Sequence, residues 1–174
     1  EAARLMTLIG DIIRLTQLDE GAEMPRERVD LREVADEVAD NLRDEAAKRN
    51  ITLSVEGEKA EMEGVPRLLY EIIYNLCDNA IKYNVDEGRV DILVAQSAAN
   101  TTVTVRDTGI GIPLEDQPRI FERFYRVDKS HSKASGGTGL GLSIVKHAVQ
   151  YHHGTIELHS EPGKGTEIIV SFPL

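Results

Sequence analysis

Asn75 and Asn79 stand four residues apart, so on a helix their amides project from one side, with Lys82 beside them. Amide oxygens suit a hard cation such as magnesium, which keeps several waters and completes its shell with phosphate oxygens. A lysine on the same face can meet phosphate as a point charge. A second stretch, Asp107-Thr-Gly109-Ile-Gly111-Ile112, puts a carboxylate on a glycine turn at the end of a strand. That carboxylate can accept a hydrogen bond from the exocyclic amine of adenine, and glycines there let the backbone come close to a ring. A third stretch, Gly137-Thr138-Gly139-Leu140-Gly141-Leu-Ser143, opens a helix, where free amides and the helix dipole face an anion. Each has a plain alternative: a solvated polar helix face, an ordinary Asp turn, a flexible glycine loop. Together they are the parts needed to hold a metal, a purine and a triphosphate.

Two weaker stretches accompany them. Phe121-Glu-Arg-Phe124-Tyr-Arg126 lies in a long loop over 113–137, where its aromatics either anchor a lid or form a satellite apolar cluster. Arg126, Lys129 or Lys133 could reach phosphate when such a lid closes. Gly163-Lys164-Gly165-Thr166 reads as a hairpin turn.

The elements that must position these residues follow from periodicity. A helix over about 66–83 starts at Pro66 and buries Leu69, Ile72, Ile73, Leu76 and Ala80. At 100° per residue, Glu71, Asn75, Asn79 and Lys82 fall within about 80° of each other on its other side, and Tyr83 sits at the seam. A helix over about 31–49 presents Leu31, Val34, Ala35, Val38, Leu42 and Ala46, and another spans about 142–152. Ile51–Val55 alternates as a strand, with Lys59–Met62 expected as its hairpin partner. Further strands are expected at 90–95, 101–106, 155–159 and 166–172. Helices flanking strand pairs predict an α/β (α+β) two-layer sandwich, with a mixed, mostly antiparallel sheet and three helices on one face.

Residues 1–20 carry two apolar seams, one through Leu5, Leu8, Ile9, Ile12, Ile13, Leu15 and Leu18 and one through Met6, Ile9, Ile13 and Thr16. Two seams exceed what one partner helix covers, which predicts an N-terminal bundle helix, against the alternative of a helix packed on its own domain. Residues 21–28 read as a linker, leaving 29–174 as the main domain.

Across 174 residues the net charge is −10, with 41% hydrophobic and 29% charged residues. That supports a packed core and shows no basic patch for nucleic acid or for an anionic membrane surface. Cys77 is the single cysteine, so no internal disulfide forms, and its apolar neighbours predict a buried small residue. No apolar run is long enough to span a bilayer. A chain beginning at Glu1 is expected to be a piece of a longer protein.

The order and spacing of these motifs resemble the catalytic, ATP-binding domain of sensor histidine kinases. That domain belongs to a group that includes DNA gyrase, the mismatch-repair MutL proteins and a heat-shock chaperone. The stretch around Asn75–Tyr83 resembles the family's N box, and Asp107–Ile112 its first glycine box. Phe121–Arg126 resembles the F box, Gly137–Ser143 the second glycine box, and Gly163–Thr166 the last one. The resemblance covers 29–174, and 1–20 resembles the second helix of the dimerisation and phosphoacceptor domain. It implies a left-handed βαβ-rich sandwich with ATP under a mobile lid and magnesium on Asn79 and also Asn75. It further implies Asp107 on adenine, Lys82 and Arg126 near phosphate and Tyr83 against the nucleotide. The implied partners are a phosphoacceptor histidine domain, a response regulator and a second copy of the parent. The implied location is cytoplasmic, in a parent anchored in the bacterial membrane.

Two departures sharpen this. The hydrolysing relatives carry a glutamate at the place of Asn75, and an amide cannot act as a general base, so water attack should be weak. The family's phosphoacceptor motif, His-Glu/Asp-Leu-Arg-x-Pro, is missing around His131, His147, His152, His153 and His159, which places the acceptor outside this chain. A serine kinase of the anti-sigma type shares the nucleotide site but needs no bundle helix. A nucleotide-gated binding module would keep the site and lose phosphotransfer.

Overall fold

Asp30 sets the first joint of the structure. In the computed structural model, which describes residues 2–20, 23–127 and 139–174, Asp30 ends strand β1 (Glu27–Asp30) and caps helix α2 (Leu31–Ala47) by accepting from the Arg32 amide at 3.0 Å. The same Oδ1 accepts from the Ala60 amide at 3.0 Å, and the Leu31 amide donates to the Ala60 carbonyl at 2.8 Å. The chain is therefore drawn back to β1 after strand β2 (Thr52–Gly57), and strand β3 (Glu61–Gly64) pairs antiparallel with β1. The hairpin expected between the β2 and β3 segments does not form. β2 instead lies parallel to strand β4 (Arg89–Gln96), with helix α3 (Pro66–Lys82) in the crossover.

Strand β5 (Asn100–Asp107), helix α4 (Gly141–Tyr151) and strands β6 (Thr155–Glu161) and β7 (Gly165–Pro173) complete the described elements, with a 3-10 turn at Gln117–Arg119. The main sheet has the order β2-β4-β5-β7-β6 and is antiparallel apart from the β2–β4 pair. Val90, Ile92, Val94, Val103, Val105, Val170 and Phe172 point inward and share one core with the apolar stripes of α2, α3 and α4. Each such fully buried aliphatic side chain is worth roughly 2 kcal/mol. The opposite face carries cross-strand charge pairs such as Arg106–Glu167 at 2.7 Å. The mixed, mostly antiparallel two-layer sandwich expected from periodicity is the architecture observed.

Helix α1 (Ala2–Asp19) divides its apolar residues. Leu15 is buried against Leu140 and Ile144, with Leu8 beside them, and Leu18 packs on the main core. Leu5, Met6, Ile9, Ile12 and Ile13 stay 44–74% exposed. Leu8, Leu15 and Leu18 are thus used on the chain's own domain, and an open seam runs through Leu5, Met6, Ile9, Ile12 and Ile13. Among the described residues no helix is long and apolar enough to cross a membrane.

Candidate functional site

The polar face of α3 is the floor of a cleft of about 760 Å³. Asn75, Asn79, Lys82 and Tyr83 line it from α3, Asp107, Gly111 and Thr166 from one end, and Arg126, Gly139 and Gly141 from the side of α4. Helical spacing brings the α3 residues together, as expected. The convergence of the other segments on that floor is a property of the tertiary fold.

Asp107 is the most constrained group in the cleft. Its Oδ1 accepts from the amides of Gly109 at 2.8 Å and Thr166 at 3.2 Å, so one oxygen is held by backbone. Oδ2 has no protein donor among the described residues, and Asp107 lines the cleft. Burial pushes the carboxyl up to about 6, and the two amides oppose that rise.

The glycines of this stretch act on protein backbone. A Cβ on Gly109 would lie 2.4 Å from the Tyr83 carbonyl oxygen, and one on Gly111, whose φ is +73°, would lie 2.2 Å from the Glu161 carbonyl oxygen. A side chain at either position would therefore collide with neighbouring chain, while Gly111 still lines the cleft. These glycines let the segment carrying Asp107 close on the end of α3, where the Ile110 amide donates to the Tyr83 carbonyl at 3.1 Å. Gly165 serves the same joint, since its Cβ would lie 2.1 Å from the Asp107 carbonyl oxygen. Thr166 was not singled out in the sequence beyond its place in a turn. Its amide holds Asp107 from the place of the last glycine box.

At the other side, Gly141 begins α4 with its Cβ position 3.1 Å from Asn75 Oδ1, so the first turn of α4 opens beside that amide. The amides of that turn have no partner within the helix. Asn75 Nδ2 donates to the Glu71 carbonyl at 2.9 Å, which leaves its oxygen as the atom facing the cleft side of α4. No group of three His, Cys, Asp or Glu exists among the described residues to form an all-protein metal cage. The donors present, one or two amide oxygens beside an anion site, fit magnesium carried with phosphates and waters.

The remaining candidates fall less simply. Lys82 Nζ sits 2.8 Å from Asp78 one turn earlier, inside the cleft lining. Arg126 lies against Gly139, whose Cβ would be 3.2 Å from Nε. Gly139 takes φ +80°, and its carbonyl accepts from the Phe124 amide at 2.9 Å, which pins together the two ends of the segment between them. Leu140 turns its side chain into the core with Leu15 and Ile144, away from the cleft lining. Gly137, Thr138, Lys129 and Lys133 lie outside the described residues. Lys164 is exposed, pairs with Glu161 at 3.3 Å and does not line this cleft, consistent with a turn. Cys77 is fully buried and its thiol is pushed well up by burial, so it is packing and no nucleophile.

Residues 64–174, which carry all of α3, Asp107 and α4, match the model of the histidine kinase-, DNA gyrase B- and HSP90-like ATPase family. The chain belongs to that family. As a member of this ATPase family it binds ATP. Among curated relatives, it is 38% identical to the sensor-like histidine kinase SenX3 of Mycolicibacterium smegmatis, with 99% of this chain aligned to 46% of that protein. The chain thus spans about half the length of that relative. Among solved structures it is similar to the mycobacterial sensor histidine kinase MprB, with TM-score 0.75 and 29% identity over 86% of this chain and 97% of that one. A structure of full-length ShkA in complex with AMPPNP aligns over 97% of this chain and 35% of that one, with TM-score 0.84 and 25% identity.

Proposed function

We propose that residues 29–174 are the catalytic, ATP-binding domain of a sensor histidine kinase, preceded by a linker at 21–28 and by the second helix of a dimerisation and phosphoacceptor bundle at 1–20. The linker gives way to β1 at Glu27. The reaction is transfer of the ATP γ-phosphoryl group to a histidine outside this chain, for relay to a response regulator. One observation carries the reading: Asp107, Asn79, Asn75 and the first turn of α4 follow one another along a single cleft.

In this reading the adenine amine donates to Asp107 Oδ2, and Tyr83 packs against the nucleotide. Asn79 and Asn75 hold magnesium through their amide oxygens. The opening amides of α4 at Gly141, with Lys82 and Arg126, take the phosphates. Gly109 and Gly111 set the adenine end, and Gly139 and Leu140 the phosphate end, through backbone; Gly137 and Thr138 complete the loop outside the described residues. Magnesium, when bound, neutralises phosphate charge. The chain itself contributes positioning and donors aimed at the triphosphate. Asn75 cannot take a proton from water, so the γ-phosphoryl group is kept for a protein nucleophile. The open α1 seam joins a second copy of the parent in a bundle.

The test supplies the chain with magnesium, γ-labelled ATP and a separate bundle segment that carries the acceptor histidine. Acid-labile, base-stable label on that segment is the expected result. Acid-stable label would indicate a serine kinase, and bound ATP without any protein label would indicate a binding module.

A further inference from the structure

α1 reaches into the cleft at the end opposite Asp107. Thr7, Asp11 and Arg14 line it there, facing Glu71. The position along α3 is informative. The Asp107 segment joins α3 at Tyr83, Asn79 and Asn75 follow one turn apart, and Glu71 is a further turn on. At 1.5 Å per residue, Glu71 is about 12 Å beyond Asn79, past the first turn of α4 that meets Asn75.

Arg14 contacts Glu71 Oε1 through Nε. Its two Nη groups have no acceptor among the described residues, and Arg14 Nε and Glu71 Oε2 are buried without a hydrogen-bond partner. The guanidinium is thus held by one carboxylate and makes no well-formed hydrogen bond among the described residues, on the wall of the cleft. α1 makes room for this arrangement. Gly10 lies one turn before Arg14, and a Cβ there would stand 3.2 Å from Arg14 Nη1. Glycine in a helix interior is unfavourable relative to alanine, so its place here, under the guanidinium, is consistent with that use. α1 is held at this position by Leu15 in its pocket with Leu140 and Ile144 and by the Asp19–Arg123 pair.

We propose that Arg14, carried by α1 and oriented by Glu71, contacts the terminal phosphate of the nucleotide and makes the cleft discriminate triphosphate from diphosphate. This rests on the reading of the cleft as the ATP site with adenine at Asp107. The phosphate end is assigned to Arg14 rather than to neighbouring Arg67 because Arg67 is 62% exposed and stands 3.7 Å from Glu71. A contact from α1 also makes the nucleotide preference depend on where the bundle helix is docked.

The experiment measures affinity for a non-hydrolysable ATP analogue and for ADP by calorimetry, in magnesium, with the whole chain and its Arg14→Ala, Arg14→Lys, Arg67→Ala and Asp107→Asn variants. Arg14→Ala is expected to lower affinity for the triphosphate about ten-fold, the worth of a charge-assisted bond, while ADP changes less than two-fold. Arg14→Lys should recover part of the loss, and Arg67→Ala should leave the ATP-to-ADP ratio within two-fold. An equal loss for both nucleotides, no loss for either, tighter triphosphate binding, or the same change in ratio from Arg67→Ala would overturn the role of Arg14. Asp107→Asn reports separately on the underlying reading. If both nucleotides bind that variant as tightly as the parent, the adenine assignment fails, whatever Arg14 does.

Discussion

Asp107 is built to be ionised at a cost. Two amides hold one oxygen, yet burial raises its carboxyl from 3.8 to about 6. Because the folded value lies above the unfolded one, its stabilising contribution is full below about pH 4 and is lost as pH rises through 6, on the order of 3 kcal/mol. The empty protein should therefore gain thermal stability from Asp107→Asn at pH 7, and the gain should vanish near pH 4; a uniform loss across that range would contradict the burial argument. The same substitution should weaken ATP by roughly 1–3 kcal/mol, since the acceptor for adenine is replaced by a mismatched amide. Affinity of the parent protein should fall as pH drops below 6, and Asp107→Asn should remove that part of the profile. Calorimetry of both proteins from pH 5 to 8 checks it, and identical profiles would exclude Asp107 as the titrating group. That Asp107 and the α3 amides are candidates, which the structure brings to one cleft, was readable in the sequence, because spacing on a helix and glycines flanking a carboxylate are local signals. The hydrogen-bond partner Thr166, 59 residues away, was not, because it is delivered by sheet register.

At the scale of elements, α3 is the frame of the cleft, and both its ends are clamped from elsewhere. Arg49, just past α2, donates to the carbonyls of Ile81 at 2.7 Å, Lys82 at 3.0 Å and Asn84 where α3 ends. A cation on those carbonyls satisfies orphan acceptors and complements the helix dipole. Arg49→Ala should cost about 2 kcal/mol in denaturant unfolding, and lysine should rescue little, because one ammonium cannot fork across three carbonyls. Unchanged stability would contradict the clamp. At the other end, buried His152 accepts from the Val65 amide at 3.0 Å through Nε2, and its Nδ1 donates to the Ala148 carbonyl at 2.7 Å. This ties the start of α3 to α4. Burial holds the imidazole below its ordinary value. A depressed value means its contribution is present above about pH 6.5 and is lost as pH falls through the folded value. His152→Ala should cost about 3 kcal/mol at pH 7 and less at pH 5, as read from unfolding midpoints; an equal cost at both would contradict a neutral histidine. Helix positions were legible from 3.6-residue periodicity at Leu69, Ile72 and Leu76. The pairing of β2 with β4 was not, because the Asp30–Ala60 contact that diverts the chain leaves no trace in local alternation.

For the whole molecule, a net charge of −10 surrounds a cleft meant for a polyanion. On the proposed reading, affinity there comes from local donors: α4's first turn, lysine and arginine side chains, and magnesium. On the proposed reading slow turnover is expected from Asn75, and multiple turnovers per second by the isolated chain would contradict it. The open seam of α1 predicts association of copies. Replacing Met6, Ile9 and Ile13 with serine should abolish concentration-dependent dimerisation in sedimentation, and a chain that stays monomeric throughout would show the seam needs the rest of the bundle. The apolar seams of α1 were visible in the sequence, but that the domain would bury Leu15 and pack Leu8 depended on Leu140 and Ile144, more than a hundred residues away. The central claim is that one cleft holds the nucleotide from Asp107 to the start of α4. Amide hydrogen exchange with and without magnesium and ATP tests it most directly. The account predicts slowed exchange at Gly109, at Thr166 and across Gly141–Ser143, with little change on the open face of the sheet. Protection confined to that open face, or none at these three places under saturating ATP, would contradict it.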